Sequence, residues 1–151
     1  MATNEEFFMT EALKEARKAM AEDEVPVGAV AVLDGKIIAR ARNRKEHFND
    51  ATKHAEMLLL EKCARVIGNW YLEGVEVYVT LEPCAMCAGA MLNARIRSLT
   101  FGASEPKSGC AGSKLNLLEN NGFNHTVRVT GGVLAEISAK LLSDFFKRKR
   151  I

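Results

Sequence analysis

Two short motifs place metal-binding side chains far apart in the chain, and the fold has to bring them together. His54-Ala55-Glu56 stands at the start of one predicted helix, and Pro83-Cys84-Ala85-Met86-Cys87 stands at the start of the next. Residues three apart on a helix share a face, so Cys84 and Cys87 are expected to direct both sulfurs at one point. The positive end of the helix dipole favours thiolates, the form that binds metal. The sequence therefore predicts that two helix starts meet at one metal site.

The donor set of this predicted site suits zinc. Two sulfurs and one imidazole nitrogen are typical Zn²⁺ ligands, and three protein ligands leave one position for water, whose pKa such a site lowers to about 7. We therefore predict one zinc per chain, held by His54, Cys84 and Cys87. Glu56 lies two residues beyond the histidine and is the predicted catalytic proton carrier. Paired His-x-Glu and Pro-Cys-x-x-Cys motifs are the signature of zinc-dependent nucleobase deaminases.

A closed structural zinc site with a fourth protein ligand is the competing hypothesis. The candidates for that fourth ligand are Cys63, Cys110, His47 and His125. None of them stands at the close spacing of a zinc finger, and Cys63 falls inside an apolar helical pattern that favours the core. The sequence therefore favours an open site, and a closed site would make the chain a binding module whose zinc only stabilises the fold.

Size and composition indicate one globular domain over residues 1–151. Of the 151 residues, 48% are hydrophobic and 26% are charged, which is enough apolar material for a core. No apolar run approaches the roughly 20 residues that span a bilayer, and the acidic N-terminus is unlike a signal peptide. We therefore expect a cytoplasmic protein without a membrane partner, in which cysteines are metal ligands or buried thiols rather than disulfides.

Hydrophobic periodicity predicts strands that alternate with helices. The predicted helices span 5–21, 53–67, 83–94 and 133–150, with a short helical turn at 114–119, and the predicted strands span 25–33, 36–41, 75–80, 97–101 and 127–130. Asp34-Gly35 predicts a tight hairpin turn, Asp50 or Thr52 a cap for the second helix, and Pro83 a first-turn position of the third. This order predicts a three-layer α/β domain whose second half is mostly parallel.

Charge is unevenly distributed although the formal net charge is only +2. Residues 1–24 hold seven acidic side chains against three basic ones, whereas basic side chains gather at Arg40, Arg42, Arg44 and Lys45 and again at 147–150. A local basic patch can steer a polyanion even when the total charge is near zero. The sequence therefore allows a nucleic-acid partner without requiring one.

Beyond these motifs, the chain resembles the bacterial tRNA-specific adenosine deaminases of the cytidine deaminase-like superfamily. The resemblance covers nearly the whole chain and rests on 24–29 (EVPVGA), 54–57 (HAEM), 78–91 (YVTLEPCAMCAGAM), 101–103 (FGA), 124–125 (NH) and 142–146 (LSDFF). It implies a three-layer α/β/α fold with a central five-stranded mixed sheet, a homodimer and a zinc cofactor. It also implies hydrolytic deamination of the wobble adenosine to inosine in a tRNA anticodon stem-loop, by zinc-activated water.

The resemblance assigns substrate contacts to Val27, Asn43, Arg44, Ala55, Glu105, Lys107 and Phe145. Asn43 is also an amide inside a basic run, able to donate and accept at a base edge, and the alternative on local sequence is a strand-end turn residue. The tail from Phe145 through the cations of 147–150 could stack bases and pair phosphates. In the alternative, Phe145 and Phe146 pack as helix core and the cations offset the negative helix end.

Two positions depart from the pattern of the family that the chain resembles. Lys53 puts a cation directly before His54, at the positive end of a helix, and either faces phosphate or is solvated. Glu105 stands where relatives commonly have aspartate, which leaves the contact to the nucleotide sugar open. The rival enzymatic hypothesis is a zinc deaminase of a free base, nucleoside or nucleotide of the cytosine or guanine type.

Overall fold

Five strands form one mixed sheet with helices packed on both faces. The computed structural model describes residues 3–119 and 121–149. The helices are α1 (Asn4–Ala21), α2 (Lys45–Phe48), α3 (Ala55–Ile67), α4 (Ala85–Ala94) and α5 (Ala135–Lys149), and the strands are β1 (Gly28–Leu33), β2 (Lys36–Arg42), β3 (Glu76–Leu81), β4 (Ser98–Ala103) and β5 (Arg128–Thr130). The strand order is β2-β1-β3-β4-β5, antiparallel across β2, β1 and β3 and parallel across β3, β4 and β5. The predicted three-layer class with a parallel second half is confirmed.

The protein has two hydrophobic clusters, one on each face of the sheet. Strand β1 contributes to both of them, because alternate side chains of a strand point to opposite faces. Val30 and Val32 pack with residues of α1, whereas Ala29 and Ala31 face the larger cluster that includes α3 and α4. Helix α5 lies beside α1 and covers β3 and β4. At Gly28 a Cβ atom would collide with the backbone of α1 at Ala12, so only glycine permits this close approach.

The predicted hairpin is present, and its edge strand is irregular. Asp34 and Gly35 have φ values of 51° and 77°, as a type I′ turn requires. Residues 25–27, which we predicted as strand, precede β1 and lie outside it. The β1–β2 register shifts between the pairs Ala31–Ala39 and Val32–Ile37, so β2 carries one extra residue. Strand β2 is one edge of the sheet, and the three-residue β5 is the other.

The helices that carry the two motifs begin later than predicted. Helix α3 begins at Ala55 with His54 as its N-cap, and α4 begins at Ala85 with Cys84 as its N-cap. Pro83 therefore precedes α4 and is not in its first turn.

The predicted caps of the second helix were wrong. The Asp50 carboxylate accepts hydrogen bonds from the backbone N–H of Thr52 at 2.9 Å and from its hydroxyl at 2.7 Å, which closes a local turn. Neither residue reaches α3.

Two segments between the main elements also differ from prediction. The predicted helical turn at 114–119 is absent. Instead, the side-chain Oδ1 of Asn116 accepts hydrogen bonds from the backbone N–H groups of Leu118 and Glu119, which closes a tighter turn. The short helix α2, which was not predicted, occupies part of the expected loop 43–52. The carboxylate of buried Glu24 accepts hydrogen bonds from the backbone N–H groups of Glu46 and His47, at 3.1 and 2.8 Å. These bonds satisfy N–H groups at the N-terminal end of α2 that have no partner within the helix.

The last helix begins at Ala135, two residues later than predicted, because Leu134 has a positive φ of 53° and lies in a turn. It continues through Lys149, and the predicted end at Arg150 lies outside the described residues. In the ranges 3–119 and 121–149, no helix is both long and apolar enough to cross a membrane.

Candidate active site

The three predicted metal ligands converge at the starts of α3 and α4. His54 Nδ1 lies 3.7 Å from Cys84 Sγ and 3.5 Å from Cys87 Sγ, and all three ligand atoms lie within 4.8 Å of one another. Cys87 is buried, whereas His54 and Cys84 are half-buried at the site. The group therefore has the composition and the spacing to hold a metal ion.

The backbone explains why two of these side chains are free to bind metal. An N-cap side chain normally turns back to accept an N–H of its own helix. His54 and Cys84 are both N-caps with extended backbone, and neither makes such a bond. Their side chains point instead toward each other across the two helix starts. The first-turn N–H groups of both helices still direct positive potential at the group.

Close contact makes the protonation states of the three ligands interdependent. Hydrogen bonds from Cys87 and His54 lower the pKa of Cys84 to about 3 against the opposing effect of burial. The facing Cys84 sulfur and burial raise the pKa of Cys87. The contact with Cys84 also raises the pKa of His54. Two thiolates side by side repel each other, and a cation bound between them would remove that repulsion.

Among the described residues, no fourth histidine, cysteine or carboxylate joins this group. Cys63 lies in the core side of α3, and burial raises the pKa of its thiol to about 11. The His125 ring contacts the carbonyl of Ile96 at 3.1 Å. The arrangement favours an open site over the closed structural site considered from the sequence.

Glu56 lies in the first turn of α3, beside the ligands. It is 4% exposed, and burial raises the pKa of its carboxyl to about 7, against the lowering effects of backbone hydrogen bonding and of His54. A group whose pKa is close to the working pH can both take up and release a proton. Glu56 therefore has the burial and the proton affinity that a proton carrier needs.

A small cavity opens over the ligands and Glu56. Its volume is about 130 Å³. A cavity of roughly 150 Å³ accommodates a benzene-sized ring, so this one has room for the reacting ring of a base, with its open side facing solvent. Its lining consists of Val25, Val27, Asn43, Lys45, His54, Ala55, Glu56, Leu81, Glu82, Cys84, Glu105 and Ser108. The side chain of Asn43 is buried, and its Oδ1 has no hydrogen-bond partner.

The residues assigned to substrate by resemblance divide into two groups in the structure. Val27, Asn43, Ala55 and Glu105 line the cavity, whereas Arg44, Lys107 and Phe145 lie outside its lining. Arg44 stacks its guanidinium over the Phe48 ring, 5.3 Å from the centroid.

The C-terminal tail forms internal contacts. Phe145 is 4% exposed, with the Lys149 ammonium 5.7 Å from its ring centroid, and Lys149 pairs with Asp23 at 2.5 Å. Phe146 remains 43% exposed. The burial of Phe145 favours the helix-core alternative for that residue.

Two cations of the predicted basic patch are occupied by acidic side chains of α1 and its C-cap. Arg40 pairs with Glu11 at 2.7 Å, and Arg42 pairs with Glu22 through two hydrogen bonds of 2.7 and 2.8 Å. The acidic N-terminal segment and the basic hairpin are thus parts of one internal ion-pair arrangement. Of the four clustered cations, Lys45 lines the cavity, whereas Arg44 packs against Phe48 in a separate surface pocket.

The departure at Lys53 has a local partner. The Lys53 ammonium lies 3.4 Å from the carboxylate of Glu61, which belongs to α3. An exposed pair of this kind contributes little to stability.

Sequence reasoning missed Glu82, which lies in the cavity wall although it is only 2% exposed. Burial raises the pKa of this carboxyl, but hydrogen bonds from Ser113 and from backbone N–H groups outweigh burial and lower it. The available signal was a glutamate directly before the Pro-Cys motif, at a strand end where charged side chains are rarely buried unless paired.

Comparisons with known proteins agree with this geometry. The family model described as MafB19-like deaminase matches residues 3–150. A tRNA-specific adenosine deaminase of Bacillus subtilis is 49% identical over 148 residues, covering 98% of this chain and 92% of the relative. A solved structure from studies of A-to-I editing by tRNA:A34 deaminases at the wobble position is 45% identical, with a TM-score of 0.86 over 90% of this chain and 99% of that one.

A third similar protein acts on a free base. The guanine deaminase of Bacillus subtilis is 30% identical, with a TM-score of 0.65 over 97% of this chain and 94% of that one. The chain is more similar to the editing enzymes than to this guanine deaminase, both in sequence identity and in TM-score. The chain therefore belongs to the MafB19-like deaminases and to the family of the tRNA-specific adenosine deaminases.

Proposed function

We propose that this protein hydrolyses the wobble adenosine of a tRNA anticodon stem-loop to inosine, with one zinc ion per chain as its cofactor. The observation that carries the proposal is the convergence of His54, Cys84 and Cys87 beside buried Glu56, at the floor of a cavity that has room for the reacting ring of a base. The similarity to tRNA-specific adenosine deaminases over nearly the full chain supports the choice of adenosine in tRNA.

The ligand spacing supports zinc as the metal. Zn–S bonds of about 2.3 Å and Zn–N bonds of about 2.0–2.1 Å at a tetrahedral angle separate sulfur from nitrogen by about 3.5 Å. The S–N separations here are 3.7 and 3.5 Å. When bound, zinc supplies the nucleophile by lowering the pKa of a bound water.

The residues of this chain bind the base and move its protons. Glu56 takes one proton from the water that attacks C6 of adenine and delivers it to N1. It then takes the second proton from the new C6 hydroxyl and delivers it to the amine, so that the C6–N bond breaks, the C6 carbonyl forms and ammonia leaves. Asn43 offers an unpaired Oδ1 inside the cavity and recognises the edge of the base. Val27 and Ala55 provide apolar wall for the ring, and Glu105 faces the nucleotide sugar.

The most direct test is inosine formation in unfractionated tRNA. The purified protein is expected to produce inosine, and the Glu56→Ala variant is expected to produce almost none. Absence of inosine with fully metallated wild-type protein would refute the proposal.

A base deaminase of the guanine type is the second candidate, supported by the similarity to the Bacillus subtilis guanine deaminase. Both functions use the same metal chemistry, and they differ in whether a free base is sufficient as substrate. Ammonia release from free guanine, with the stem-loop left unchanged, would select this candidate and leave the roles of Glu56 and the ligands standing.

Stem-loop binding is expected to weaken with salt, and cations beside the cavity are expected to contribute. Each phosphate contact to a single strand adds about 0.7 to the steepness of the log–log dependence of affinity on salt. Replacing Arg44 and Lys45 together with alanine should therefore make this dependence shallower and reduce the affinity while zinc is retained. Fluorescence anisotropy with a labelled stem-loop between low and moderate salt measures both effects.

The matched control for this pair is Lys36→Ala, which removes a cation from the far, exposed end of β2. It is expected to bind the stem-loop with the salt dependence of the wild type. An unchanged salt dependence in the double variant would remove Arg44 and Lys45 from the RNA surface.

We propose a homodimer that pairs through α4 and its surroundings. Five side chains make α4 apolar on more than one face, namely Met86, Ala88, Ala90, Met91 and Leu92. Ala88 and Met91 are fully buried in the core of the chain, so only the other three side chains are available for contact with a second copy. A groove of about 600 Å³ runs along α4, between the exposed rings of Trp70 and Phe123.

Light scattering at micromolar concentration is expected to give twice the mass of one chain. A Cβ atom at Gly89, on the groove side of α4, would meet no other atom within 4 Å. Gly89→Glu is therefore expected to preserve the fold and zinc content but to yield monomers. A monomeric wild type would contradict the dimer, and a dimeric Gly89→Glu would move the interface away from this groove.

A further inference from the structure

We propose that Glu82 is a positioning residue that fixes the segment 104–113, here called the wall loop, so that Glu105 and Ser108 form one side of the substrate cavity. This inference rests on the proposed function, because it concerns how the same cavity holds a nucleotide. It assigns to Glu82 a role in substrate binding that is separate from metal binding and from proton transfer.

The carboxylate of Glu82 is saturated by donors from the wall loop. One oxygen accepts the backbone N–H of Glu105 at 2.9 Å and the hydroxyl of Ser113 at 2.5 Å. The other accepts the backbone N–H groups of Ala111 and Ser113, both at 3.0 Å. Four hydrogen bonds occupy both oxygens, so Glu82 has no free lone pair with good geometry for substrate. Its contribution to the reaction therefore passes through the loop.

The wall loop has little regular structure to hold it by itself. It follows β4 and lies outside every helix and strand, with only the isolated bridge from Ala111 to Asn116 near its end. Buried backbone N–H groups need partners, and Glu82 supplies them at both ends of the loop. The contact to the N–H of Glu105 is the most direct, because Glu105 itself lines the cavity.

Gly109 shows how closely the loop is folded around this carboxylate. A Cβ atom at Gly109 would lie 2.5 Å from a Glu82 carboxylate oxygen and 2.5 Å from the Glu105 carbonyl oxygen. Real Cβ atoms do not approach that closely, so any side chain at Gly109 forces the loop and the carboxylate apart. Glu82 and Gly109 are thus two independent positions from which the same contact can be broken.

Glutamine at position 82 keeps the size of the side chain and reverses part of its hydrogen bonding. An amide offers one oxygen to the four donors and turns its own N–H groups toward the remainder, which leaves buried donors facing each other. The wall loop is then expected to shift or open. Small displacements of a binding group reduce catalytic efficiency by about 10- to 100-fold. Because the metal ligands and Glu56 lie outside the wall loop, the loss is expected in KM.

The test compares Glu82→Gln and Gly109→Ala with the wild type in stem-loop deamination, zinc content and amide hydrogen exchange. Each variant is expected to hold one zinc per chain, to keep kcat close to the wild-type value, and to raise KM for the stem-loop by about tenfold or more. The amides of Glu105, Ala111 and Ser113 are expected to exchange faster in Glu82→Gln. The double variant is expected to be little worse than either single one, because both break one contact.

Leu13→Ala is the control for general loss of stability. Leu13 is a buried residue of α1, in the smaller hydrophobic cluster and outside the lining of the substrate cavity. This variant should therefore lower Tm without changing KM. Loss of zinc in Glu82→Gln, an unchanged KM despite faster exchange of the loop amides, or additive effects in the double variant would each overturn the proposal. If the wild type leaves the stem-loop unmodified, the proposed function fails, and retained amide protection in Glu82→Gln would then show separately that Glu82 does not hold the loop.

Discussion

Replacing Glu56 with glutamine or alanine is expected to reduce turnover of the stem-loop by about 10²- to 10⁴-fold while zinc content and fold are retained. Glu56 is buried beside the metal ligands, and burial raises its pKa to about 7, so it can carry protons in both directions at neutral pH. Glutamine fills the same volume and cannot carry a proton. The effect is expected in kcat, since proton transfer occurs during the chemical steps.

Single-turnover inosine formation, measured together with metal analysis, separates this effect from misfolding. Glu61→Gln is the matched control, because Glu61 is an exposed carboxylate on the same helix and lies outside the cavity lining. Glu61→Gln is expected to remain close to the wild type. More than about a tenth of wild-type turnover in Glu56→Gln would show that another group carries the proton.

Cys87→Ala is expected to lose nearly all bound zinc and most of the soluble protein. Cys87 is a fully buried residue of α4, and its sulfur lies 3.5 Å from His54 Nδ1. Removing one thiolate leaves the remaining ligands without a complete donor set, and metal binding contributes directly to folding free energy. Thermal unfolding and metal analysis after mild chelation measure both effects.

Cys63→Ala is the control for removing a buried sulfur. Cys63 is also fully buried, but it lies in α3 outside the ligand group. Its replacement is expected to create a small cavity with a modest loss of stability and to leave one zinc per chain. Equal zinc retention in the two variants would exclude Cys87 as a ligand.

The elements that local sequence could predict are those whose determinants are local. Asp34-Gly35 specifies its turn through the backbone conformations that these residues tolerate, and the hairpin was correctly predicted. Apolar periodicity gave the strand and helix order for the same reason. The caps were wrong because Asp50 and Thr52 are better intrinsic caps than histidine, whereas the ligand group requires His54 to occupy that position with its side chain turned away.

Features that depend on distant residues could not be predicted from the chain alone. The end of α2 is satisfied by Glu24, which precedes β1, and nothing near Lys45 indicates this helix. The basic appearance of Arg40 and Arg42 was misleading, because their partners Glu11 and Glu22 come from a segment earlier in the chain. The convergence of His54, Cys84 and Cys87 could be predicted because their spacing and residue types are chemically restrictive.

The edges of the sheet also determine how copies of this chain can associate. An exposed regular edge strand can recruit strands from other chains, which leads to fibrous aggregation. Here the extra residue in β2 disrupts the ladder, and the side chains of Arg40 and Arg42 are held by acidic partners along that edge. At the opposite edge, β5 offers only three residues. Neither edge is therefore a good template for an added strand, and the dimer proposed above is expected to use a helical surface and not a continuous intermolecular sheet.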